Sequence, residues 1–294
     1  MAAQRLEHQV TDKGFVPIYA TGVVDQPWDS YTDTDHHVWK TLYARQRELL
    51  QGRACDEFIE ALNAMQMHSE KIPRFDDLNE HLYRATRWRL VAVEGLLPEE
   101  TFFGHLAARE FPVTWWIRTP DQLDYLSEPD LFHDLFGHVP LLMNPMFADY
   151  MCAYGRGGLK AMNIGGDALQ HLARLYWYTV EFGLIRSANG LRIYGSGILS
   201  SAGESCYALE SDASNRIEFN MQRVMRTRYR IDSFQRSYFV IDSFRQLFEE
   251  TQADFTPIYT RLQTQESIPA GEILEGDIAL NIGTREGWAD TSDA

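Results

Sequence analysis

The sequence predicts one domain, mostly α with minor β. Three observations lead there. Helical apolar spacing recurs along most of the 294 residues, segments of strand character are few and short, and no repeat or low-complexity linker divides the chain. Hydrophobic residues make up 45% and aromatics 13%, enough to build a sizeable core.

The elements follow in order. The stretch DTDHHVWKTLYARQRELLQG sets Val38, Leu42 and Leu49 on one face and closes on glycine, so it reads as a helix. DEFIEALNAMQM and DDLNEHLYRATRW read as two more. RLVAVEG is a short strand. PEETFFGHLAAR opens with proline and acids, which suits a helix start, and FPVTWWIR is extended. MFADYMCAYGRGG is expected to be a helix ended by its glycines. DALQHLARLYWYTVEFGLIR is apolar nearly all round and reads as one long buried helix. LRIYGSGILSS is strand and turn, while FVIDSFRQLFEE and FTPIYTRLQ are expected to be helices.

Composition excludes several classes of function. With 27 basic and 42 acidic residues the net charge is −15, which argues against nucleic acid or an anionic membrane as partner, since both need a basic footprint. Cys55, Cys152 and Cys206 form no CxxC pair, so a reduced, cytoplasmic protein is expected. The start of the chain lacks the apolar core of a signal peptide, and no run is long enough to span a membrane.

The densest chemistry lies in SEPDLFHDLFGHVPLL, residues 127–142. Ser127 and Asp130 have the form of a capping box around Pro129, predicting a helix from Ser127 that carries His133. His133 and His138 are five apart and would point ~140° apart on a continuous α-helix, unlike the one-face pair of HExxH proteases. Gly137 and Pro140 are expected to stop the helix, letting His138 turn back toward His133. The pair then meets one metal ion, or else forms two satisfied core histidines; spacing alone does not choose. Glu181 sits between Val180 and Phe182 in the most apolar segment. A buried lone carboxylate is costly unless paired or metal-bound, and Arg174 and Arg186 are the candidate partners. Two histidines and a carboxylate suit a facial triad for non-heme Fe(II); catalytic zinc is the rival. GSG at 195–197 lacks the third glycine of a dinucleotide fingerprint, and Ser200 and Ser201 lack a GxSxG elbow.

Taken together, PDLFHDLFGHVPLL, LYWYTVEFGL and YGSGILSSAGES resemble the catalytic core of the pterin-dependent aromatic amino acid hydroxylases. PWDSYTDTDHHVWKTLYARQ and GLLPEETFFGHLA add to the likeness, which runs from Phe15 to Ile258 and is nearest to the bacterial single-domain phenylalanine-hydroxylating form. The resemblance implies a single catalytic domain of that type. It also implies Fe(II), tetrahydrobiopterin or a related tetrahydropterin, O2, and conversion of L-phenylalanine to L-tyrosine; hydroxylation of tryptophan or tyrosine is the alternative.

By the same resemblance His133, His138 and Glu181 are the iron ligands and catalytic centre. Arg118 clamps the substrate carboxylate with Asp130 behind it, and Pro129 and Trp177 wall the aromatic pocket. Gly197 and Ser200 form the loop beside substrate and iron, the Ser200 hydroxyl holding a ligand histidine. Phe102 stacks on the pterin, Gly95 and Leu97 line its loop, and Tyr176 and Asp134 lie near it. Animal members carry glutamate at the position of Asp134 and serines at those of Pro98 and Glu99, so the pterin contacts depart from the family pattern. Read alone, Arg118 suits a surface ion pair, and Phe102 and Trp177 suit core positions. The implied organisation is a loose tail over residues 1–14, a catalytic unit over 15–270 and an extension over 271–294. With neither a regulatory domain nor a heptad tail in the sequence, a monomer is expected.

Overall fold

The structure is a computed structural model that describes residues 9–11, 14–16, 22–124, 126, 128–251 and 256–288. Strands β1 (Gln9–Thr11) and β2 (Gly14–Val16) pair antiparallel, in the stretch expected to be a loose tail. After β3 (Val23–Val24), α1 runs over Asp33–Leu49. Its first turn is closed by a capping box between Thr32 and Asp35, which satisfies two backbone N–H groups reciprocally. Helices α2 (Asp56–Ala64) and α3 (Phe75–Thr86) follow, then β4 (Arg89–Val93), α4 (Glu99–Ala107) and β5 (Glu110–Thr114). Strands β4 and β5 pair in parallel with α4 as the crossover, and β3 adds antiparallel to make a three-stranded sheet.

The chain then passes through residues 133–138 into α5 (Pro145–Ile164) and α6 (Ala168–Tyr176). Strands β6 (Leu184–Ser187) and β7 (Gly190–Ile193) form a hairpin, followed by α7 (Ser196–Leu199), α8 (Ala202–Glu210), β8 (Asn215–Glu218) and α9 (Met221–Arg226). Strand β9 (Ser237–Ile241), α10 (Phe244–Thr251), α11 (Thr256–Leu262) and β10 (Ala279–Asn281) complete the fold. The second sheet has the order β10-β8-β9-β6-β7. The extension is therefore built into the structure through β10, which pairs with β8.

Three expected helices are corrected. FVI belongs to β9, a central strand paired in parallel on both sides and buried at all five residues. Such a strand reads as a continuous apolar run, which periodicity cannot tell from a buried helix. The long helix expected through Arg186 stops at Glu181, and Leu184–Ser187 is β6. The third correction concerns α5, which its glycines do not end. It runs through Gly155, Gly157 and Gly158 to Gly165, whose φ of +75° suits a helix stop. The internal glycines let α4 approach: a Cβ on Gly155 would overlap the Ala107 backbone and stand 2.7 Å from Leu106 Cβ, and one on Gly158 would overlap the Phe103 ring.

Gly155→Ala is accordingly expected to destabilise the fold by about 2 kcal/mol through overpacking, lowering the melting temperature by roughly 4–8 °C. An unchanged melting curve would show that α4 and α5 can part without cost.

Candidate metal centre and substrate cavity

Residues 131–132 are helical and lead directly into a π-helical turn, His133–His138. The helix start is fixed by Asp130, whose Oδ1 accepts the His133 N–H at 3.0 Å, as an N-cap carboxylate does. Ser127, expected to cap this helix, lies outside the described residues. Nor does Gly137 end the helix. The chain widens instead: an i→i+5 hydrogen-bond ring stacks residue i over i+5, so the five-residue spacing becomes a one-face spacing. The His133 and His138 Nε2 atoms come within 3.1 Å of each other. Gly137 serves close approach, since a Cβ there would stand 2.8 Å from the Ser196 carbonyl oxygen.

A second π-helical turn, Trp177–Glu181, delivers the carboxylate, with the Phe182 N–H donating to the Trp177 carbonyl at 2.8 Å. Glu181 Oε1 lies 3.2 Å from His138 Nε2, and Oε2 lies 3.6 Å from His133 Nε2. The arginine partners do not take it: Arg174 donates to the Met225 and Arg226 carbonyls, and Arg186 pairs with Glu218 and Asp242.

The two Nε2 atoms and the two oxygens of the Glu181 carboxylate thus stand 3.1–3.6 Å apart, His138 against Oε1 and His133 against Oε2. An ion about 2.1 Å from each of three mutually perpendicular ligands would hold them about 3.0 Å apart, so the set fits one ion on one face. Asp134 is also near, its oxygen and the two imidazoles lying within 4.8 Å of one another. Its Oδ2 accepts the Thr114 N–H at 2.7 Å, which ties it to β5, whereas both Glu181 oxygens stand within 3.6 Å of an imidazole nitrogen, which makes Glu181 the candidate third ligand.

The protonation states suit a cation. Burial pushes the Glu181 carboxyl up, but the charges of His138 and His133 outweigh it and bring the pKa down to about 2. Burial holds His133 down to about 4, against the upward pull of Glu181. Near neutral pH the site therefore offers a carboxylate and a neutral imidazole at His133. The Ser200 hydroxyl donates to the Ser196 carbonyl at 2.8 Å, so toward His133 Nδ1, 2.9 Å away, it accepts. The Nδ1 proton is thereby assigned and the Nε2 lone pair is free for a metal. Ser196 Oγ donates between the Val180 carbonyl and Glu181 Oε2, both at 2.9 Å. Losing such an outer partner typically costs 10–100-fold in metal affinity, and Ser200→Ala is expected to fall in that range when titrated anaerobically with Fe(II). Wild-type affinity in the variant would mean that Ser200 does not orient the ring.

Beside the triad opens a cavity of about 720 Å³, lined by Arg118, Pro129, His133, Trp177, Glu181, Gly197 and Ser200, with Phe182, Glu204 and Gln235 among its other walls. Arg118 spends Nε and Nη2 on the Asp130 carboxylate, at 2.8 and 2.9 Å, and its backbone N–H on the same group. Asp130 is fully buried; burial raises its carboxyl, but the Arg118 guanidinium outweighs this and holds it below the ordinary range. The rest of the guanidinium faces the cavity, a fixed fork of the shape that grips a carboxylate. Gly197 admits Glu181 closely, since a Cβ there would stand 3.2 Å from Oε2.

Of the other predicted residues, Tyr176 packs near His138 and links it to Phe102: it is 6.3 Å from the His138 ring and 6.1 Å, edge-on, from Phe102. Asp134 is buried, which pushes its carboxyl up to about 7. Gly95 and Leu97 sit in the loop between β4 and α4, with Leu97 toward Gly22.

Sequence reasoning missed Ser196, Phe182, Tyr229, Glu204 and Gln235. Tyr229 stacks on Trp177 at 4.3 Å and 14°, and Gln235 Oε1 accepts the Trp177 indole N–H at 3.0 Å. No spacing announces these contacts, which come from a separate loop. Glu204 carried a signal: an acid in a short helix that must bury one face.

Fold and site together form a candidate two-histidine, one-carboxylate metal site opening on a cavity that an arginine lines. The sequence matches the family model described as biopterin-dependent aromatic amino acid hydroxylase over residues 21–264, and the chain belongs to that family. It is 63% identical over 270 residues to the phenylalanine-4-hydroxylase of Ralstonia nicotianae, covering 92% of this chain and 86% of that one. The Chromobacterium violaceum enzyme of the same name is 59% identical over 268 residues, 91% of this chain and 90% of that one. A crystal structure of the C. violaceum enzyme with bound oxidised Fe(III) superposes with a TM-score of 0.86 at 57% identity, covering 89% and 94% of the two chains. Another holds cobalt.

Proposed function

We infer that the protein is a phenylalanine 4-monooxygenase, converting L-phenylalanine to L-tyrosine with O2 and a tetrahydropterin at a non-heme iron centre. The observation that carries this is the convergence of His133, His138 and Glu181 on one side of a cavity whose other side carries Arg118. High identity to phenylalanine-4-hydroxylases over nine-tenths of the chain supports it.

His133, His138 and Glu181 would hold the iron. When bound, iron and reduced pterin together supply the activation of dioxygen. The protein's own residues do the rest. Arg118 receives the amino acid carboxylate as a bidentate partner, and Asp130 fixes the guanidinium by accepting from Nε and Nη2. Pro129 and Trp177 sandwich the aromatic ring, orienting it toward the triad and keeping water from it. Ser200 keeps the His133 proton on Nδ1. Phe102 and Tyr176 offer aromatic faces to the pterin on the His138 side, with Gly95 and Leu97 on the loop above and Asp134 a neighbouring acceptor. The catalytic unit is assigned to residues 15–270, supported by the family match over 21–264.

No helix among the described residues is long and apolar enough to cross a membrane. Cytoplasmic residence, a monomeric state and the lack of a nucleic acid partner are further parts of this reading, the last of them supported by the acidic net charge.

The test is product analysis with purified enzyme given Fe(II), tetrahydrobiopterin, O2 and each aromatic amino acid. Tyrosine from phenylalanine is expected. 5-Hydroxytryptophan or dihydroxyphenylalanine as main product would move the assignment to a sister activity, and no turnover by iron-loaded protein would refute catalysis.

A further inference from the structure

We propose that Gln235 is a specificity-determining residue that holds the Trp177 indole in a single orientation and so sets the aromatic preference of the cavity; this rests on the cavity being the amino acid site. Trp177 opens the π-helical turn that delivers Glu181, so its ring orientation is separate from the metal geometry and must be fixed by other means. One face stacks on Tyr229 at 4.3 Å and 14°, and Phe182 lies 4.8 Å away at 34°. Parallel stacking leaves the ring free to slide in its own plane. The in-plane constraint is the hydrogen bond from Nε1 to Gln235 Oε1, at 3.0 Å.

The Gln235 amide has only one orientation that satisfies both neighbours. The indole N–H is a donor only, so Oε1 must face it, and Nε2 then donates to the Arg230 carbonyl at 2.9 Å. The side chain is buried at 2% exposure, where a flipped amide would leave both ends unpaired. Its backbone is fixed as well. The Gln235 N–H donates to Glu204 Oε1 at 3.1 Å, and the same oxygen accepts the Tyr238 hydroxyl. Glu204 is thus a buried anchor from α8 that sets Gln235, and Gln235 sets Trp177. The amide also ties the rim loop, residues 229–235, to the cavity wall. The room for an aromatic ring then depends on a polar lock as well as on the ring faces that line it. With the lock removed, the indole can shift along Tyr229 and the rim can open, which favours a larger ring.

The test measures binding as well as turnover. Dissociation constants for phenylalanine and for tryptophan are measured by calorimetry on the iron-loaded enzyme, alongside melting temperatures. Gln235→Met, which keeps the shape and removes both hydrogen bonds, is expected to weaken phenylalanine binding roughly three- to tenfold while leaving tryptophan binding equal or tighter. In a Trp177→Phe background, Gln235→Met should add nothing, because the donor is gone. Gln235→Glu keeps an acceptor oxygen for the indole and, protonated in this buried site, an O–H donor for the Arg230 carbonyl, so it is expected to retain the wild-type preference, which keeps the test open should Gln235→Met fail to fold. An unchanged phenylalanine-to-tryptophan ratio in folded Gln235→Met, full additivity with Trp177→Phe, or loss of preference in Gln235→Glu would overturn the proposal. Failure of the wild-type enzyme to make tyrosine would instead strike at the assigned reaction, since the binding ratio is read without turnover.

Discussion

Glu181→Ala is expected to lower Fe(II) affinity by more than about 100-fold and to abolish hydroxylation, because loss of merely an outer-sphere partner already costs 10–100-fold. The fold should survive. His133 is neutral near pH 7, so removing the carboxylate leaves no unpaired charge at that ring. Metal content after dialysis, measured by mass spectrometry, checks the first part and thermal melting the second. A variant that kept full iron occupancy would remove Glu181 from the ligand set and direct attention to Asp134, the nearest other carboxylate. The wild-type site also carries a pH signature. Protons compete with the metal at His133 Nε2, and burial has moved that competition down from about 6.5 to about 4. Proton competition at His133 is therefore expected to weaken Fe(II) binding only as the pH drops through about 4, well below the pH at which an ordinary solvated imidazole begins to lose a metal.

Arg118→Ala is expected to raise the KM for phenylalanine by roughly 100-fold, the scale of a lost charge-assisted, bidentate contact. The KM for pterin should change by less than about twofold, because Arg118 lines the cavity whereas Tyr176, proposed to face the pterin, packs near His138 and Phe102. The same change strands Asp130, a fully buried carboxylate, and breaking one side of a buried ion pair typically costs about 3–5 kcal/mol. Arg118→Lys separates the two effects: it restores a positive charge for Asp130 but not the fork, so stability should recover more than KM does. Steady-state kinetics with each substrate varied in turn decides it. If the phenylalanine KM stays put in both variants, the carboxylate is held elsewhere.

The legible parts of this molecule are those whose cause is local. Amphipathic spacing in α1 and α3 marks a buried face, and the short valine-rich stretch Arg89–Val93 reads as a strand that ends ahead of Gly95. The long apolar runs were less legible. In Trp177–Ser187 a π-helical turn gives way to a strand within two residues, and Ser237–Ile241 is a central strand with no polar face to betray its period. Glycine, too, has two local meanings. Gly155 and Gly158 in α5 mark a close helix contact, where the sequence alone suggested a stop.

By itself the sequence determined the residue types of the chemistry: two imidazoles and a carboxylate in apolar surroundings, where they must find a cation or one another, and the motifs that tie them to a hydroxylase family. It also determined the acidic, helix-rich character of the chain. Tertiary structure alone decided how His133 and His138 meet. A five-residue spacing opposes them on an α-helix and aligns them on a π-helical turn, which meets Asp130 and Ser200 at His133 and Ser196 at Gly137. Structure likewise set the partner of Asp134, whose Oδ2 accepts the N–H of Thr114, 20 residues away in sequence and on strand β5. The physical reason is the same in both cases: a helix period or an acid's partner depends on atoms brought near only when distant segments pack.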